Sequence, residues 1–184
     1  MTPTPFRGSP TDLWLQRPAL WCQGSSVTWA NRYQDCPDVP GRFDQEFCVL
    51  GSEGFTTGWH WWEVSVQGPY SFPLRGTASW AIGVAKESVP RKGSFKLSPQ
   101  EGIWAVGKDA WQQFVTFETS QNLSLSYSVH SSLNKLWVML DCEAKEVHFV
   151  DVVTQTSLYT FQLVGGCQEL HGCGASTDRE VVEL

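Results

Sequence analysis

Carboxylates, cysteines and histidines are the residues of this chain that could do chemistry, and several groupings of them have a spacing worth weighing. Glu63 stands between Trp62 and Val64, and a carboxylate on an apolar strand could be shifted toward general acid or base work. The alternation around it instead makes Glu63 a polar-face residue, satisfied by backbone or an arginine. Asp141 and Glu143 lie two apart, but the paired carboxylates of a glycosidase must flank a substrate from separate elements; these read as a hairpin connection. The glycine-rich run Gly51–Gly58 has no following lysine and no helix, which a phosphate cradle would need. Cys167, His171 and Cys173, with Asp178 as a fourth, could in principle gather around zinc. Structural zinc normally uses four ligands in tighter pairs, so this cluster reads as incidental composition. His60, His130, His148 and His171 are dispersed, and there is neither a Gly-x-Ser-x-Gly elbow nor a cysteine in a nucleophile context. No catalytic residue, metal ligand or cofactor site is assigned, and the chain is read as a surface that holds a partner.

The elements that carry these residues alternate with a period of two. Along Trp61–Val66, Trp62, Val64 and Val66 share one face, with Trp61, Glu63 and Ser65 on the other. Along Trp80–Ala85, Trp80, Ile82 and Val84 point inward, opposite Ala81, Gly83 and Ala85. Ile103–Val106 and Leu136–Leu140 repeat the pattern, and Val147, Phe149 and Asp151 return from the Asp141–Glu146 connection. Thr154–Ser157 turns the chain again into Leu158–Phe161. No segment sustains a 3.6-residue apolar stripe. The expected fold is all-β: a two-layer antiparallel sandwich with one face of each sheet buried.

Size and composition agree. A chain of 184 residues can bury about 70% of its unfolded surface in one domain, and ten Trp and ten Phe fill the space between sheets with few residues. The net charge of −6 and pI near 5.1 offer no footprint for nucleic acid or an anionic membrane. Cys22, Cys36, Cys48, Cys142, Cys167 and Cys173 form no CxxC pair, and a core of this size does not need disulfides. They are read as reduced thiols of a cytoplasmic protein. The N-terminus has no signal-peptide pattern, and no 18-residue apolar run occurs.

Four blocks, VLGSEGFTTGWHWWEV (Val49–Val64), WAIGVAKESVPRKG (Trp80–Gly93), LSPQEGIWAVG (Leu97–Gly107) and LDCEAKEVHFVDVVTQTSLYTF (Leu140–Phe161), follow one another in order. In them the chain closely resembles the PRY-SPRY domain that ends many tripartite-motif proteins and butyrophilins. RYQDCPDVPGRF (Arg32–Phe43) resembles the junction between the PRY and SPRY parts. The sequence departs from the family at Trp59 and Trp61, which replace an arginine and a tyrosine, and beyond Phe161, where the expected return strand is missing. The resulting division is a disordered segment over 1–10, a PRY-SPRY domain over 11–164 (PRY about 11–44, SPRY about 45–164), and an atypical tail over 165–184. That tail breaks the strand rhythm and resembles the product of a frameshift or alternative splice.

The resemblance implies a concanavalin-like sandwich that recognises a protein or peptide through loops at one end. The corresponding positions are Asn31–Gln34, Pro69–Thr77, Lys108–Gln113 and Asn122–His130. Among them Tyr33, Phe72, Lys108, Trp111 and Gln112 combine aromatic anchors with hydrogen-bonding groups, the profile of interface hot spots. The implied role is the substrate-recognition part of a tripartite-motif ubiquitin ligase. Any ligase chemistry would lie in an accompanying RING domain, and dimerisation in a coiled coil. The basic pocket of metabolite-sensing butyrophilins is not carried over, because the matching position after Trp80 is Ala81. The alternatives are the intracellular domain of a butyrophilin-like receptor, a free-standing secreted SPRY protein, and a lectin-like or hydrolytic sandwich enzyme.

Overall fold

The computed structural model describes residues 4–5, 20–23, 26–29, 38–67, 78–109, 113–118, 123–124, 133, 135–176 and 181–183. Among them the strands are β1 (Thr4–Pro5), β2 (Leu20–Gln23), β3 (Ser26–Trp29), β4 (Cys48–Phe55), β5 (Trp59–Gln67), β6 (Ala78–Lys86) and β7 (Ile103–Asp109). They continue as β8 (Phe114–Phe117), β9 (Leu123–Ser124), β10 (Lys135–Asp141), β11 (Glu146–Asp151), β12 (Ser157–Gln162), β13 (Leu170–Ser176) and β14 (Val181–Glu183). A single 3₁₀ turn, Pro99–Glu101, interrupts the β pattern of the described residues.

The strands form two sheets. The first runs β12-β11-β10-β5-β14-β3-β2, with β1 also paired to β5; the second runs β4-β13-β6-β7-β8-β9. Every pairing is antiparallel except β1 with β5. The all-β sandwich read from the alternation is therefore what the chain adopts. Between the layers, Trp62, Val64, Leu136, Val138, Leu140, Val147 and Phe149 meet Trp80, Ile82, Val84, Trp104 and Val106, all buried. Each such side chain contributes about 1.5–3 kcal/mol when fully removed from water.

Two sequence expectations are corrected. The first is that each sheet buries one face. Ala81, Ala85, Ile103, Ala105, Val115 and Cys173, on the far side of the second sheet, are also buried, in a second cluster with Phe43, Val89, Phe95 and Leu97. The roof is made by the segments 38–47 and 88–98, tied to each other by polar contacts. Asp44 N donates to the Arg91 carbonyl (3.2 Å), Gly93 N to Asp44 Oδ1 (2.8 Å), and Ser94 Oγ to Glu46 Oε1 (2.6 Å). The Arg91 guanidinium lies 4.9 Å from the centre of the Phe43 ring. A crevice of about 310 Å³, partly open to solvent, remains between roof and sheet.

The second correction concerns the tail. Leu170–Ser176, within the segment read as unrelated to the fold, is β13, inserted between β4 and β6 in the second sheet. The missing rhythm has a local cause. Gly172 and Gly174 give β13 no side chain for an apolar alternation, and Gly172 faces the Trp62 ring across the sandwich, where a Cβ would make an ordinary contact at 3.4 Å. Gly165 and Gly166, at φ 94° and 74°, turn the chain out of β12 in a conformation that glycine adopts at little cost.

Candidate binding rim

The strand registers decide which connections share an end. Ala78 pairs with Asp109, Lys108 with Phe114, Val115 with Ser124 and Lys135 with Ser65. Val181 pairs with Gln67, and Val182 with Val27. The C-terminal ends of β3, β5, β7 and β9 therefore all open toward one end of the sandwich. From there leave the connections that contain segments 31–34, 69–77, 108–113 and 122–130, which the sequence singled out.

Tyr33, Phe72, Trp111 and Gln112 lie outside the described residues. Lys108 does not sit in a loop: it belongs to β7, half-buried, between Trp80 on β6 and Phe114 on β8 in the ladder. The Trp80 and Phe114 rings, on the strands either side of it, are 6.0 Å apart. Leu123 and Ser124, within the last of those segments, form β9.

The mount for Trp111 and Gln112 is described. Asp109, 5% exposed, receives the Gln113 N–H on Oδ1 (2.9 Å), while its own N–H donates to the Gln113 carbonyl (3.0 Å). The two residues flanking the connection 110–112 are thus held together by backbone and side chain at once. The β11–β12 turn at the same end is built alike. Asp151, 2% exposed, accepts from Val153 N (2.8 Å), and its N–H reaches the Thr156 carbonyl (3.0 Å). This turn presents Val153, 77% exposed, which the sequence reading missed. The signal available was an apolar pair, Val152-Val153, placed directly before a polar turn.

Just below the rim on the outer face of the first sheet, Glu63 accepts from Lys135 Nζ (2.8 Å) and Trp137 Nε1 (3.2 Å). The hydrogen bond from Lys135, reinforced by the one from Trp137, holds the Glu63 carboxyl below the usual carboxylate range despite an opposing effect of burial. Glu63 is thus an exposed ion-pair partner. The residues weighed as zinc ligands are placed apart. His171 is buried, its Nδ1 2.8 Å from the Gly51 carbonyl and its Nε2 3.2 Å from Glu87 Oε2; Cys173 lines the second cluster; Cys167 packs against the inter-sheet core. Among the described residues no group of three ligands converges. Asp178 lies outside them. Nor is any described helix long and apolar enough to cross a membrane.

A two-sheet antiparallel sandwich with connections gathered at one end is the class of domain that this geometry defines. Residues 59–177 match the SPRY domain and residues 23–55 the SPRY-associated PRY domain, so the chain belongs to the SPRY family. It is 42% identical over 130 residues to mouse (Mus musculus) tripartite motif-containing protein 10, covering 71% of this chain and 24% of the relative. It is 35% identical to mouse butyrophilin subfamily 2 member A2, covering 73% and 24%, and 36% identical to mouse E3 ubiquitin-protein ligase TRIM69, covering 76% and 26%. The chain thus spans about a quarter of the length of these curated relatives. Among solved structures, the TRIM65 PSpry domain superposes with a TM-score of 0.74 at 20% identity, covering 97% of this chain and 89% of that one. Stonustoxin also superposes with a TM-score of 0.74, at 16% identity, covering 94% and 28%. The match at 59–177 includes β13, which brings most of the supposed tail inside the family's own span.

Proposed function

We propose that this chain is a non-catalytic recognition module that captures a protein or peptide on the rim. In this reading it serves in the cytoplasm as the substrate-recognition part of a tripartite-motif ubiquitin ligase. The observation that carries the reading is the register: strands from both sheets deliver their connections to a single end, where two buried aspartates brace the turns. A braced platform loses little conformational freedom on docking. Kinship with relatives named as tripartite-motif proteins and as an E3 ubiquitin-protein ligase supports the ligase setting. The butyrophilin relative supports a second reading, the intracellular domain of a receptor, in which the same rim would engage its ligand.

The test is capture of partners from lysate by the chain and by a Trp111→Ala/Phe72→Ala variant, with melting curves of both. Loss of specific capture at unchanged Tm is expected. Retained capture by the variant, or parallel loss of fold and binding, would remove these side chains from the rim. Ubiquitination of a captured protein by the full-length parent separates the ligase reading from the receptor reading.

A further inference from the structure

The outer face of the first sheet has two unlike halves. The β11–β12 half is largely polar and bonded to itself. Gln162 Nε2 donates to Glu146 Oε1 (2.5 Å), His148 Nε2 lies 3.3 Å from Glu146 Oε2, and His148 Nδ1 lies 2.9 Å from Thr160 Oγ1. The β5–β10 half is aromatic. Trp59 and Trp61 on β5 share it with Trp137 and Met139 on β10; Trp61 stands directly opposite Met139, and Trp59 directly opposite Asp141. All four apolar residues are partly exposed, and none belongs to either buried cluster. The Trp61 and Trp137 rings meet edge to face, inclined at 70° with centres 6.1 Å apart, and Trp137 Nε1 is anchored on Glu63 (3.2 Å). A sheet with one solvated face ordinarily turns polar side chains to the water, so packing of the sandwich does not account for this stripe. Nor does the family fold require it, since Trp59 and Trp61 stand where resembling domains carry an arginine and a tyrosine.

The charges beside the stripe say what it fits. In the ladder Asp141 lies between Trp59 on one neighbouring strand and Glu146 on the other. Two carboxylates directly opposite each other repel, and among the described residues no lysine or arginine pairs with either of them. Lys135 is already held by Glu63 (2.8 Å). An arginine at position 59 would be the cross-strand partner of Asp141; here an indole takes that place. The acidic pair therefore lacks a cation next to an aromatic surface on which one could lie.

We propose that this face docks a partner protein segment through an arginine flanked by apolar residues, with the guanidinium on the tryptophans and its N–H groups on the Asp141 carboxylate. A guanidinium suits the site better than an ammonium: it is planar, weakly hydrated, and can stack on an aromatic face while donating to a carboxylate. Tryptophan offers a cation the most attractive face of any side chain. Asp141 is held ready. Its Oδ1 accepts from Glu143 N (3.0 Å) and Ala144 N (2.8 Å), which fixes the carboxylate and leaves Oδ2 to the guanidinium. The apolar neighbours of the arginine cover Met139 and the rest of the Trp61 ring. Trp59 begins β5 and Asp141 ends β10, at the end of the sandwich away from the rim, so this segment and a rim partner can be bound together.

The experiment follows the indole N–H resonances of the isotopically labelled full chain, assigned by single tryptophan-to-phenylalanine variants, during titration with acetyl-Leu-Arg-Leu-amide. Saturable shifts of the Trp59, Trp61 and Trp137 indoles are expected at millimolar peptide, and binding of the corresponding glutamine peptide should be weaker by about fivefold or more. Asp141→Asn keeps an Oδ1 for the two turn N–H groups and should weaken the arginine peptide by about five- to tenfold. Trp59→Arg/Trp61→Tyr restores the family's residues; it should keep the parent's circular dichroism and Tm and lose the shift of the Trp137 indole. The proposal is overturned by the absence of a saturable shift, by an equal response to the glutamine peptide, or by an Asp141→Asn titration that matches the parent's. A folded Trp59→Arg/Trp61→Tyr variant that still binds would overturn it too. So would sedimentation of the parent as a dimer that this variant abolishes, because the occupant would then be a second copy of the chain.

Discussion

The two faces of the second sheet are both dry, yet they are built on different scales. The inner face presents Trp80, Ile82, Val84, Trp104 and Val106 to the opposing sheet. The outer face presents Ala81, Ala85 and Ala105, with Gly83 and Gly107 in the same rows, and is covered by a chain segment that inserts Phe43, Val89, Phe95 and Leu97. Sheets packed face to face leave about 10 Å for interdigitating side chains, which large residues fill. A roof of single segments can descend further onto small residues, but it is held by surface polar ties and borders a crevice partly open to solvent. The inner face is therefore the part whose disruption should unfold the domain, and the outer face the part that can loosen locally. The proposed recognition rim is separated from both, at the strand ends.

The harshest test of this contrast is at the paired glycines. A Cβ at Gly83 would overlap the Trp104 carbonyl, and one at Gly107 the Trp80 carbonyl. Gly83→Ala or Gly107→Ala should cost about 4 kcal/mol or more, the range of severe backbone strain, and circular dichroism melts should show a largely unfolded population. A near-native Tm would mean that β6 and β7 can separate without loss, and the contrast between the faces would fail.

Next in size is a matched pair of truncations. Phe149→Ala, between the sheets and fully buried, should cost about 3–5 kcal/mol in urea unfolding. Phe43→Ala, under the roof and 1% exposed, should cost about 2 kcal/mol, because a roof segment can relax into the space where two facing sheets cannot. Equal costs would erase the distinction between core and lid.

A smaller effect concerns the tie between the sheets at one edge. Tyr159 on β12 donates to Glu118, just after β8 (2.5 Å), and this bond, with burial, pushes its phenol up from 10 to about 12. Because folding favours the protonated phenol, the contribution is complete below pH 10 and is lost as pH rises through about 12. Ultraviolet titration should show one late-ionising tyrosine, absent in Tyr159→Phe. Smallest of all, Glu63→Gln should change stability by less than about 1 kcal/mol, since the Glu63–Lys135 pair is solvent-screened. Glu63's carboxyl is lowered, so its contribution is present above the ordinary carboxylate range and fades as pH falls through the lowered value. Denaturant midpoints of parent and variant measured from neutral pH down should converge.

Much of the fold was legible locally. β10 and β11 alternate buried and less buried positions in the phase their sequences predict, and β5 does so from Trp61 to Val64 before Ser65 is buried as well, because a strand's side chains change face at every residue whatever lies beside it. For the candidate site the sequence offered loop positions implied by the resemblance, 108–113 among them, and this assigned Lys108 to a loop when the ladder with Trp80 and Phe114 makes it strand. Val153 escaped notice because exposure in a turn depends on what packs beside it.

By itself the sequence determined that the chain is all-β, which faces of the long strands are apolar, and, through its four blocks, the kinship with the SPRY family. Tertiary structure alone decided that Leu170–Ser176 enters the middle of a sheet, that small outer residues are roofed, and that the connections from both sheets gather at one end. The physical reason is range. Alternation and turn chemistry act between neighbours in the chain, whereas β13 takes its place through pairings with β4 and β6, far away in sequence, and an end is shared only through registers between distant strands.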